Sequence, residues 1–146
     1  MARKRTTEAQ AELDRAVAAV DRELAADLEM MSMFDQTKQA FVLENAQFLR
    51  FRAVLEREIP DAYASVSSLY ERIPVTESAM ERRGPAGSIR DDDRATIHEW
   101  EGDAREAQRT LRGAATAAPP STWSGIRKKL PSPVGRLIDR FTRTSG

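Results

Sequence analysis

Apolar residues recur at helical spacing from Leu13 onward. Leu13, Val20, Phe34, Phe41, Phe48 and Leu55 share one seven-residue track, interrupted by Asp27, and Val17, Leu24, Met31 and Ile59 share a second. Such spacing places an apolar stripe along one side of a helix. The first proline is Pro60 and the first glycine Gly84, so the opening stretch holds neither strong helix breaker. Thr7 with Gln10 offers a capping-box start, and the pattern predicts one long helix over about 7–58. Met31 to Thr37 contains weaker helix formers and N-cap residues, but both tracks keep their phase through it, which favours continuity. The second track turns polar at Lys38, Asn45 and Arg52, while Val42, Leu49 and Phe51 add apolar surface on either side. The seam therefore drifts, as a period of 3.6 requires, instead of following a strict coiled coil.

A helix of that length would extend ~78 Å, and its apolar side needs cover. An internal partner is predicted over about 89–117, with Ser88 and Asp91 as a second capping box. Ile97, Trp100, Ala104, Ala107, Leu111 and Ala114 give it one narrow face suited to close helix packing. That partner reaches only ~45 Å. Self-association along Phe34, Phe41, Phe48 and Leu55 would cover the remainder, making the chain a homo-oligomer. Asn45 reads first as a solvent-flanked residue and second as a buried polar group fixing register.

Pro60 suits the first position of a shorter helix over about 60–73, with Tyr63, Val66, Leu69, Tyr70 and Ile73 on its apolar side. Thr76 to Arg83 could add two turns, and 84–90 reads as a turn or hinge. The double proline Pro119-Pro120 ends a helical body over 1–118. Beyond it, Trp123, Ile126, Leu130, Val134, Leu137 and Phe141 recur at three- and four-residue steps, with Arg127, Lys128, Lys129, Arg136, Arg140 and Arg143 between them. Pro131 and Pro133 divide this basic amphipathic tail, 119–146, into a short turn and a helix capped by Ser132. The fold expected is all-α: an elongated helical hairpin or bundle on one long N-terminal helix, with a basic tail.

Composition changes this picture little. With 40% apolar and 32% charged residues the chain belongs with folded proteins, and the charged excess matches exposed helical surface. Absence of cysteine excludes disulfides, thiolate catalysis and cysteine-bound zinc. Arg3-Lys4-Arg5 is followed by polar residues instead of the apolar core of a signal peptide, and no stretch approaches a membrane span, so a cytoplasmic location is the expectation. Charge matters more by its distribution. The net charge of zero separates into −5 over 1–118 and +5 over 119–146, which marks the tail as a unit of its own.

Candidate chemistry is sparse. His98 is the only histidine, no Gly-x-Ser-x-Gly elbow or phosphate-binding glycine loop occurs, and residue 95, three before His98, is alanine where a di-iron bundle needs glutamate. Asp91-Asp92-Asp93 fits the positive end of a helix dipole better than a calcium loop. The expectation is therefore no enzyme, no cofactor and no metal site. The tail carries the functional signal through Trp123, Ile126, Arg127, Lys128, Lys129, Leu130, Arg136, Leu137, Arg140 and Phe141. A protein partner is the favoured ligand, with an anionic membrane surface next and nucleic acid last, because the helices themselves are acidic. Folding of the tail back onto its own acidic body is the intramolecular alternative. The function expected is a helical scaffold or adaptor, ahead of a small nucleic-acid-associated regulator or a peripheral membrane protein.

Overall fold

A computed structural model describes residues 5–117. Five α-helices follow in order: α1 (Thr7–Thr37), α2 (Ala46–Glu58), α3 (Pro60–Glu71), α4 (Ile73–Glu81) and α5 (Asp91–Thr116), with a 3-10 turn at Pro85–Gly87 before the last. Pro60 opens α3 as its sequence position requires. Pro74 lies at the start of α4 and cannot donate a backbone hydrogen bond into the preceding turn, so α3 and α4 form one arm bent at Arg72. Counting that arm once, residues 7–117 make an all-α four-helix arrangement and a compact unit by themselves.

The continuous helix expected over 7–58 is not formed. α1 stops at Thr37 because Lys38 turns into the left-handed region at φ 59°. Its N–H still donates to the Phe34 carbonyl at 2.7 Å, the αL form of a helix end. The freed polar groups are covered locally: Thr37 Oγ1 donates to the Met33 carbonyl and accepts the Gln39 N–H, while Lys38 Nζ donates to the Asp35 carbonyl. Gly87, at φ 76°, presses against the Lys38 side chain where a Cβ would overlap it, so the 84–88 turn packs on this helix end.

After the reversal, α2 runs antiparallel to α1. Glu44 meets Asp27, Phe48 meets Glu23 and Arg57 meets Glu12, one chain number rising as the other falls. α5 is also antiparallel to α1, with His98 near Asp35, Arg112 on Asp21 and Gln10 donating to the Ala115 carbonyl. The α3–α4 arm covers α5 in the opposite sense through Arg82–Asp93 and Arg72–Asp103. At ~1.5 Å per residue α1 is ~47 Å long, which α5, at ~39 Å, nearly matches.

Both apolar tracks end inside this unit. Leu13, Val17, Val20, Leu24, Met31 and Phe34 of α1 meet Phe48 and Leu55 of α2, Val66 and Leu69 of α3, Met80 of α4, and Ile97, Trp100 and Leu111 of α5. Trp100 is fully enclosed and its indole N–H donates to the Leu69 carbonyl at 3.0 Å, which satisfies its one polar atom. Ala104 and Ala107 keep α5 close to its neighbours, as the narrow face predicts. Ala104→Leu should lower stability by about 1–3 kcal/mol through overpacking. Gly102, one turn face away with open space around a Cβ, should gain about 0.5–1 kcal/mol as alanine. Urea titrations of the two variants measure the contrast.

The Ser88–Asp91 box does not form either. Arg90 holds the N-cap position of α5 without a side-chain cap. The three aspartates that follow act separately: Asp91 pairs with Arg94, Asp92 with Arg90, and Asp93 is buried under the Arg82 guanidinium. Arg82 holds the Asp93 carboxyl below the usual carboxylate range. No helix among the described residues is long and apolar enough to cross a membrane.

Candidate functional site

The reversal between α1 and α2 is held by carboxylates. Asn45, the N-cap residue of α2, makes no side-chain cap, so the first N–H groups of that helix need other acceptors. Glu23 supplies them from across the hairpin. Its Oε2 accepts the Gln47 N–H at 2.8 Å and its Oε1 accepts the Phe48 N–H at 3.1 Å. The carboxylate thus sits on the positive end of the α2 dipole. Tyr70 of α3 adds a third donor, its hydroxyl reaching Glu23 Oε1 at 2.8 Å.

Two further acids extend the pattern into the connecting segment. Asp27 Oδ1 accepts the Glu44 N–H at 2.7 Å, and Glu77 Oε2 of α4 accepts the Leu43 N–H at 2.7 Å. Backbone donors of residues 43, 44, 47 and 48 therefore all end on side chains from other elements. The Phe48 ring stacks on Tyr70, with centroids 4.2 Å apart, and on Tyr63 at 6.0 Å, closing the apolar side of the cluster.

Asp27 is the exceptional member. It is 1% exposed, and its Oδ2 is buried without a hydrogen-bond partner. Burial is the main force on its carboxyl, and the neighbouring charges of Glu23, Glu44 and Glu77 act in the same direction. Together they outweigh the Glu44 N–H and raise it to about 7 from an ordinary 3.8. Burial and Glu23 also push the Tyr70 hydroxyl up, so it remains a donor. The cluster can fix the hairpin and hold a proton at Asp27 near neutral pH.

The helical period alone assigns these acids no role, and Asp27 enters it only as an interruption of the apolar track. Their signal was positional: Glu23 and Asp27 follow Val20 at three- and four-residue steps toward Met31, on the buried spine of α1. Of the expected self-association stripe, Phe34, Phe48 and Leu55 are buried within the chain and Phe41 is half-buried, so the hairpin covers internally the seam assigned to a second copy. Asn45 is exposed at the head of α2. His98 is exposed on α5, facing Asp35. The tail residues Trp123, Ile126, Arg127, Lys128, Lys129, Leu130, Arg136, Leu137, Arg140 and Phe141 lie outside the described residues.

An open groove of about 570 Å³ runs between α3 and α5, with Ser65, Ser68, Arg72, Asp103, Glu106 and Thr110 on its walls. Arg72 and Asp103 pair across it at 2.9 Å, which gives it polar walls without a nucleophile joined to a base. No protein-family model, curated protein or solved structure matches the chain.

Proposed function

We propose that this chain is a non-enzymatic scaffold or adaptor whose helical body positions a basic C-terminal segment for docking onto a protein partner. The observation that carries the reading is the coincidence of two boundaries. Residues 7–117 form a compact helical unit, and the charge of the chain reverses just beyond it, from −5 over 1–118 to +5 over 119–146. An acidic body and a basic amphipathic segment of this kind suit an acidic groove on another protein. Homo-oligomerisation belongs to the same proposal. With Phe34, Phe48 and Leu55 inside the chain, the large apolar residues that the described part offers to a second copy are the exposed Met30, Met33, Val42, Leu49 and Val75.

Crosslinking in the native cell tests the docking role. The intact chain should yield a protein adduct that the charge reversal Lys128→Glu/Arg136→Glu/Arg140→Glu abolishes, with helicity unchanged by circular dichroism. Binding to duplex DNA with a steep salt dependence would replace the proposal by a nucleic-acid role, and retention on anionic vesicles at physiological salt would replace it by a membrane role. Light scattering tests the second part: an oligomer dissociated by Leu49→Glu supports it, and a monomer at all concentrations removes it.

A further inference from the structure

One group of side chains belongs neither to the hairpin cluster nor to the tail. Asp35 lies in the last turn of α1, and His98 and Glu101 are spaced i, i+3 on α5, so they share one face of that helix. Antiparallel packing of α1 on α5 brings the three together. His98 Nε2 stands 4.0 Å from Asp35 Oδ1, and one ligand atom from each of the three residues lies within 4.8 Å of the other two.

Glu101 is the informative member. It is 8% exposed, yet its carboxylate takes part in no hydrogen bond or ion pair among the described residues. A cation between the three groups would give that carboxylate a partner.

We propose that Asp35, His98 and Glu101 bind a divalent first-row transition metal ion of the Zn²⁺ class, clamping the end of α1 to α5. The donor set of one imidazole and two carboxylates selects against Mg²⁺ and Ca²⁺, which prefer oxygen alone. Three protein ligands at ~2.0–2.2 Å from an ion require closer spacing than 4.8 Å. His98 and Asp35 are half exposed and can rotate inward, while Glu101 is fixed by its surroundings. Solvent access on the His98 side supplies the entry path and leaves the remaining coordination positions to water. The order His98-x-x-Glu101 reverses the Glu-x-x-His order of di-iron bundles, and Asp35 is 63 residues earlier in the chain, so no local motif announces the site.

Calorimetric titration of the full chain, free of any affinity tag, with Zn²⁺ tests this. A single ion should bind per chain, raise the thermal midpoint and slow amide exchange in the last turn of α1. His98→Ala and Glu101→Gln should each abolish the heat and the thermal shift while keeping wild-type helicity. Co²⁺ should give visible d–d absorption with the wild type that His98→Ala loses. Absence of Zn²⁺ binding, or binding unchanged in His98→Ala, overturns the site. So does equal affinity for Mg²⁺. If Glu101→Gln disturbs the fold, the exposed His98→Ala variant alone decides.

Discussion

Glu23→Ala is expected to lower the unfolding free energy by roughly 3–5 kcal/mol. The substitution orphans three donors at once: the Gln47 and Phe48 N–H groups and the Tyr70 hydroxyl. Each buried donor left without an acceptor costs about 1–3 kcal/mol. The sum stays below the maximum because removal of Glu23 also relieves repulsion on Asp27. Glu23→Gln keeps one acceptor oxygen and should fall between wild type and alanine. Tyr70→Phe tests the arrangement further. In the Glu23→Ala background it should cost less than in the wild type, since the hydroxyl it removes is already without a partner there. Chemical denaturation of the four variants gives the coupling energy. Independent, additive losses would contradict a shared carboxylate.

Asp27→Asn should do the opposite and stabilise the protein, by an amount that grows as pH rises from about 4 to 7. The folded carboxyl titrates near 7, whereas the unfolded one releases its proton near 3.8. Between these values the folded state holds a proton that the unfolded state has lost, so stability falls as pH rises from about 4 to 7 and levels off beyond. Asparagine imitates the neutral form: its amide oxygen can still accept the Glu44 N–H, and its NH₂ can point toward the acids around it. The variant should match wild type near pH 4 and exceed it by on the order of 4 kcal/mol at pH 8. Urea midpoints at pH 4.5, 6 and 8 measure this. A difference that does not change with pH would place the Asp27 carboxylate in water or in an unrecognised pairing.

The fold class and the membership of the core were legible because burial follows the helical period. Leu13, Val20, Leu24, Trp100 and Leu111 are all where their spacing puts them. The reversal at 38–45 was not. Fourteen residues separate Phe34 from Phe48, so the seven-residue phase continues whether the chain runs straight or doubles back. Phase registers which face is apolar and carries no information on direction. No glycine or proline marks the turn, because the left-handed position is taken by Lys38 and the exposed helix donors are satisfied by Glu23, Asp27 and Glu77 at separations of 17 to 34 residues. Asp27 was visible as an interruption of the apolar track. Its meaning depended on knowing what lay opposite.

The pairing of α1 with α5 has a consequence for how the chain is made. Gln10 and Ala115 touch across 105 residues, whereas the α1–α2 contacts need nothing beyond residue 58. At ~5–20 residues per second, the first hairpin leaves the ribosome about 3–12 s before α5 is finished. Throughout that interval the side of α1 that α5 will cover is open to water, to chaperones and to other nascent chains.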